Sequence, residues 1–237
     1  MSSTNKVGRT LGTLLLLHVV VGLTVPFILL HVVTSSRGFL LTAAENAGQV
    51  RLAVFLLTVG SAMAVAVSAS ALSAFRRYSL AMTFWLLALA TAGFSLQCVD
   101  NGHLLSILSL SQEYASAGPG KEEFFQSLAL VVGSARKWAH YTYLLVAVSW
   151  IFLLFTMLFR FRLVPRSLAA FGMIASLLQI IGVTLRGLMG YSPETRLAMP
   201  LAPAYVALAV WLIVKGLNER PSSVEVESCE AGVAHAS

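Results

Sequence analysis

Long apolar runs separated by short polar breaks dominate the chain. A helix needs about 20 apolar residues to cross roughly 30 Å of hydrocarbon. Six runs meet or approach that length: Leu11–Val33, Leu52–Phe75, Leu80–Gln97, Ala139–Phe159, Leu168–Leu185 and the shorter Leu201–Val214. They predict an all-α fold, a polytopic membrane bundle of about six transmembrane helices. Residues 1–10 then form a cytoplasmic N-terminal segment and 11–217 the six-helix transmembrane domain. Residues 218–237 are polar, short of large apolar side chains, and expected to be a disordered cytoplasmic tail.

Local patterns refine these elements. Lys6 and Arg9 precede the first run as in a signal peptide, but the run is too long and lacks a clean small-residue cleavage site, so it is read as a retained span. Pro26 should kink it. Gly60, Ala64 and Ser68 recur every four residues in the second run, a stripe that lets helices approach inside a bundle. Pro200 and Pro203 suit the first turn of the last helix.

Composition and charge agree with the runs. Hydrophobic residues make up 57% and charged residues 11%, against about a quarter charged in soluble proteins. The net charge is +6, but the bases sit in ones, twos and threes beside apolar runs, as membrane anchors do. Nucleic acid is therefore not an expected partner, whereas membrane lipid is. Cys98 and Cys229 are too far apart in the chain to suggest a disulfide, and no Cys/His spacing suggests zinc.

With the N-terminus inside, nine of the sixteen bases fall on the cytoplasmic side and seven outside, and the tight loops RRY and RFRLVPR are cytoplasmic. The expected location is the cell inner membrane of a bacterium, multi-pass, with both termini cytoplasmic.

The stretch LQCVDNGH, Leu96 to His103, carries the candidate chemistry. At about 1.5 Å per residue Asp100 stands about 30 Å from Leu80, at the outer edge of the hydrocarbon. His31, Arg136, Lys137, His140 and Arg186 fall near the same depth on other spans. Gln97, Asp100 and His103 are three apart; Arg136, His140 and Tyr143 are four and three apart, so each set shares roughly one helix face. A carboxylate facing bases and imidazoles makes intramembrane charge tolerable. Asp100, His103 and His140 are the candidate catalytic residues; Gln97, Arg136, Lys137, Tyr143, Arg186 and His31 are the candidate ligand-binding residues. The opposing reading makes the same layer an ordinary helix boundary with snorkelling bases. After His103 the run LLSILSLSQEY suits a further helix on or beyond the outer surface. His18 reads as a hydrogen-bonded packing residue, Gln179 as a bond across helices, and Trp85, Trp138, Trp150 and Trp211 as packing or interface anchors.

At QEYASAG, FFQSL, ARKWAHY, LVPRSLAAFGMI and VALAVWLIVKGLN the chain resembles a bacterial six-helix integral-membrane family catalogued only as a domain of unknown function. The resemblance runs over nearly the whole chain, most clearly from Ser111 to Asn218. It implies a six-helix membrane domain and no assigned activity. In the family pattern an Arg and a Glu stand at the positions of Gln97 and Asp100, and a Glu near Tyr205. This chain keeps only the acid at Asp100.

Three classes of function remain open. One is a binding module or carrier, with a polar small-molecule or lipid site at the outer mouth for a hydrophobic or anionic ligand. The second is a membrane enzyme on an isoprenoid-like substrate, a cyclase or isomerase using Asp100 as general acid or base. The third is a structural or regulatory subunit, its protein partners unknown. No metal or cofactor is expected; haem between imidazoles of His31, His103 and His140 is the one alternative, and a colourless protein would remove it.

Overall fold

The computed structural model describes residues 3–31, 38–118, 120–189 and 195–218, which are helical apart from short connections. Helix α1 (Ser3–Thr24) runs into a π-helical turn, Val25–Leu29, that contains Pro26. The expected disturbance at this proline is thus a widened turn, Val25–Leu29, and Val33, the expected end of the run, lies outside the described residues. Helix α2 (Phe39–Glu45) is short; α3 (Ala47–Phe75), α4 (Leu80–Ser116), α5 (Glu122–Arg160) and α6 (Arg166–Met189) are long; α7 (Thr195–Ala198) is one turn; α8 (Leu201–Val214) ends the described chain. Five helices are long and apolar enough to cross a membrane, and α8 is the shorter sixth. The chain is a multi-pass, all-α membrane bundle.

Two helices exceed the sequence expectation. Ser79 caps α4, its hydroxyl accepting from the Met82 amide at 3.3 Å. No proline interrupts Leu80–Ser116, and α4 continues through Gly93, Asp100 and Gly102 for 37 residues, about 55 Å. Helix α5 has 39 residues. The polar stretch at Leu96–His103 is therefore not the end of a helix, and LLSILSLSQEY is its direct continuation. Beyond Asp100, α4 and α5 extend as a hairpin on which α2 packs. Ser111 joins them, its hydroxyl donating to the Leu40 carbonyl and accepting from the Ala44 amide, both at 2.8 Å.

The five helices of crossing length and α8 close a ring in the order α1, α3, α4, α5, α6, α8, with α8 packed back onto α1. Close backbone approach makes that closure. A methyl on Gly12 would lie 2.8 Å from the Ala209 carbonyl oxygen, and one on Gly8 2.8 Å from the Leu217 amide nitrogen. Positive φ at Gly216 (75°) lets its amide reach the Leu212 carbonyl and end α8. The Asn218 amide then bonds the Leu163 carbonyl at 2.8 Å. Both ends of the described chain thus sit at the end of the bundle that carries Arg76, Arg77 and Arg160–Arg166, here the basic-loop end.

The small-residue stripe on α3 packs inward as expected. Ser68 is fully buried; its hydroxyl accepts from Trp150 Nε1 at 2.8 Å and donates to the Ala64 carbonyl at 3.0 Å. Large apolar side chains such as Phe55, Phe84, Trp85 and Ile174 are left on the outside, the face a bundle presents to lipid. Residues 219–237, most of the expected tail, with Cys229, and Arg37 in the first loop lie outside the described residues.

Candidate functional site

On α4, Gln97, Asp100 and Asn101 lie three and four residues apart and share one face. That face is turned wholly into the bundle: Gln97 and Asp100 are 1% exposed and Asn101 5%. An isolated carboxylate so placed would be costly, and α5 supplies its partners. His140 Nδ1 is 3.0 Å from Asp100 Oδ2, and Arg136 Nε is 3.7 Å from Asp100 Oδ1. The first is a hydrogen bond; the second is an ion pair too long to be one. With Asp100 as carboxylate, Nδ1 carries the shared proton and Nε2 of His140 is left for another group. The His140 side chain is 39% exposed, so the carboxylate is sealed while its imidazole partner is accessible. The Tyr143 ring follows one turn on, 6.3 Å from the His140 ring.

A second set of bonds ties this face to α3. Gln97 Nε2 donates to Asn101 Oδ1 at 2.9 Å and, at the limit of 3.5 Å, to Asp100 Oδ2. Asn101 Nδ2 donates in turn to Thr58 Oγ1 at 2.9 Å and to the Val54 carbonyl at 3.3 Å. The arrangement still leaves three buried polar atoms without a hydrogen bond: Asp100 Oδ1, Gln97 Oε1 and Arg136 Nε. Unpaired buried groups cost about 1–3 kcal/mol each. Two of the three are acceptors, and they stand three residues apart on one face.

Five of the nine expected site residues therefore meet in one cluster: Gln97, Asp100, Arg136, His140 and Tyr143. His103 is part-exposed and turned about 60° further round α4 than Asp100. Lys137 is exposed, its ammonium 5.5 Å from the Trp138 ring centre. Arg186 and His31 are exposed. Asn101 and Thr58 belong to the network and were not expected. Asn101 carried a signal, standing four residues after Gln97 and next to Asp100; Thr58 carried none.

Deeper in the ring, His18 Nδ1 is 2.9 Å from the Gly60 carbonyl oxygen, the packing bond expected of it. Gln179 departs from expectation, because its Oε1 accepts no hydrogen bond. Trp150 is 2% exposed, whereas Trp85 and Trp138 are on the surface. Among the described residues no three His, Cys, Asp or Glu side chains are grouped to hold a metal ion.

No curated protein and no solved structure matches the chain. A family does, over residues 10–216, which runs from within α1 through α8 and takes in the whole Asp100 cluster. The chain belongs to DUF4386, a domain of unknown function.

Proposed function

We propose that the Asp100 cluster binds the polar end of a membrane-soluble amphiphile, a lipid or small molecule whose head group donates hydrogen bonds. The observation that carries this reading is a pair of acceptors buried on one face of α4 without a hydrogen bond, Gln97 Oε1 and Asp100 Oδ1, the latter held only by its long ion pair with Arg136. An ammonium, or a head group with two donor hydrogens, can donate to both; a lone hydroxyl has a hydrogen for one of them, and an anion has none. Of the bases that would suit an anionic head, Arg136 is engaged with Asp100, and Lys137 and Arg186 are exposed and outside the cluster. On this reading the anionic ligand gives way to a donor-bearing one.

Orientation follows from the loops. The tight basic turns at Arg76–Arg77 and Arg160–Arg166 favour the cytoplasmic side, and both described chain ends lie with them. The protein is then a bacterial inner-membrane protein with both termini cytoplasmic, and the cluster opens toward the outer leaflet.

A second reading rests on the His140–Asp100 bond. A carboxylate that holds one imidazole nitrogen fixes the tautomer and leaves the other nitrogen for general acid–base work. Catalysis on an isoprenoid-like chain, isomerisation or cyclisation, would then use His140 as the group that reaches substrate and Asp100 as the residue that positions it. A structural or regulatory subunit is the remaining class, in which the same bonds only hold α4 to α5.

Mass spectrometry of lipids and small molecules that copurify with wild type and with Asp100→Asn tests the binding reading. A hydroxyl- or ammonium-bearing amphiphile retained by wild type and lost from the variant is the expected result. Identical bulk lipid in both would overturn it. Product formation that requires His140 would favour the second reading.

A further inference from the structure

One seam repeats along α1 at steps of four and three residues: Gly8, Gly12, Leu15, Val19, Gly22 and Pro26. That spacing keeps all six on one helix face. The first four are buried. A methyl on Gly8 would meet the Leu217 amide and one on Gly12 the Ala209 carbonyl, while Leu15 and Val19 share a core with Leu208 and Leu212 of α8. Gly22 and Pro26 are exposed, and so is Leu23 beside them, at 42%. The seam outlasts the helix that covers it.

The cause is the length of α8. Its 14 residues rise about 21 Å, against about 30 Å of hydrocarbon. The two helices run antiparallel, with Gly12 against Ala209 and Ile213 and the His18 ring 6.0 Å from the Tyr205 ring. Continued outward, that register sets Gly22 level with Leu201, where α8 begins. The single turn of α7 before it packs on α6, and a methyl on Gly22 would meet no neighbouring atom within 4 Å. On the Asp100 side of Leu201, α1 therefore borders a notch about 9 Å tall. Side chains on a helix lean toward its N-terminus, so the Tyr205 ring lies back over the first turn of α8 and carries its hydroxyl toward the floor of the notch. Tyr205 is 3% exposed, yet that hydroxyl has no hydrogen-bond partner. His18 beside it already has Nδ1 engaged with the Gly60 carbonyl at 2.9 Å.

We infer that this notch binds a single apolar chain that carries an oxygen, a long-chain alcohol in chemical class, whose oxygen accepts a hydrogen bond from the Tyr205 phenol. The gap is less than two helical turns tall, too short to seat a helix from a second copy or another protein. It lies at hydrocarbon depth and has Gly22, Leu23 and Pro26 for a wall, which suits a chain. A plain acyl chain fills the space but leaves the buried phenol unpaired, a cost that an oxygen on the chain removes. The inference stands apart from the amphiphile reading. Asp100 Oδ1 and Gln97 Oε1 call for a donor, whereas the Tyr205 hydroxyl offers one.

Native mass spectrometry of delipidated protein, titrated with hexadecanol or with hexadecane, tests it. The two probes share a chain and differ by one hydroxyl. The expected result is one bound hexadecanol, held about tenfold more tightly than hexadecane, the scale of a single hydrogen bond. Tyr205→Phe, which removes only the phenol hydroxyl, should erase the difference between the probes. Gly22→Trp puts a ring into open space and should abolish binding of both, while Asp100→Asn should leave hexadecanol bound as in wild type. Equal retention of the two probes, no retention of hexadecanol, or binding indifferent to Gly22→Trp would overturn the inference. So would hexadecanol lost in Asp100→Asn but kept in Tyr205→Phe, which would place it at the other site. The comparison of alcohol with alkane uses the unaltered protein, so it decides even if a variant does not fold.

Discussion

The two halves of the bundle are built from the same helices by different means. At the basic-loop end a single continuous core runs from Leu11 and Leu15 through Phe75, Leu86, Phe155 and Met157 to Leu208 and Leu212. At the Asp100 end the buried apolar residues split into two small groups, one around Val25 and Leu104 and one around Ala43 and Ile107. Between them sit Gln97, Asp100, Asn101 and their partners. In lipid, apolar residues gain little by leaving the tails, so helices associate through fit and hydrogen bonds. The first half holds mainly by fit, and the Tyr205 hydroxyl and Trp211 Nε1 in or against that core are single polar atoms without a hydrogen bond. The second holds by directional bonds and leaves Asp100 Oδ1, Gln97 Oε1 and Arg136 Nε unmet. What sets the second region apart is three such atoms gathered around one buried carboxylate, a concentration of broken local rules of the kind that marks functional sites.

The largest effect should come from spoiling the fit. A methyl on Gly172 would lie inside contact distance of the Phe155 ring, which is fully buried and has no room to turn aside. Overpacking of this kind costs about 1–3 kcal/mol or more, and Gly172→Ala is expected at the upper end in thermal unfolding in detergent. Adding Phe155→Leu should restore part of the loss, a coupling that a double-mutant cycle measures. A Gly172→Ala protein as stable as wild type would mean that this half is not tightly fitted, and the contrast would fail.

Next in size is the charge pair. Removing one partner of a fully buried ion pair costs about 3–5 kcal/mol. Arg136 and His140 keep side-chain exposures of 21% and 39%, so water recovers part of that, and Asp100→Leu is expected to lose about 2 kcal/mol. Asp100→Asn keeps an oxygen for His140 and should lose about half as much. Equal stability for wild type and Asp100→Leu would mark the pair as dispensable to the fold and sharpen its claim to a different role.

The sequence made the crossing helices legible because apolar length is all that a span requires. It misplaced the end of α4 for the same reason. Asp100 looks like the exit from lipid, but a helix stops where its backbone is broken, not where its side chains turn polar, and nothing breaks this one before Ala117. The cluster was readable in part, since depth and spacing pair Asp100 with Arg136 and His140. Thr58 was not, because its place depends on how α3 is rotated against α4, which no local pattern states. Gly172 and Gly12 were invisible too, since a lone glycine acquires meaning only from the ring or carbonyl it meets. His103 failed by angle: three residues on from Asp100, the helix has already turned it away.

Thr58 offers a finer cut. Thr58→Val keeps the shape and removes the Oγ1 that Asn101 reaches at 2.9 Å. The Val54 carbonyl remains as a second acceptor, so the expected loss is about 0.5–1 kcal/mol, read as a small fall in Tm. If Gln97 depends on Asn101 to aim its free oxygen, the same variant should also weaken retention of the amphiphile. Stability lost with retention unchanged would make the α3 bonds purely structural.

The smallest expected effect separates the ligand classes. Lys137 and Arg186 are exposed, and exposed substitutions away from special contacts usually stay within about 0.5 kcal/mol. Lys137→Gln and Arg186→Gln should leave Tm and the copurifying amphiphile as in wild type. An anionic head group would behave otherwise, since these are, with Arg136, the bases at its depth, and each loss should reduce retention with a dependence on salt. A donor-bearing head group instead requires the oxygens of Asp100 and Gln97. Gln97→Leu, which removes one of them without adding charge, should then weaken retention while the two basic variants do nothing. The reverse pattern would move the ligand off the buried carboxylate and onto the surface bases, leaving Asp100 the task of holding α4 against α5.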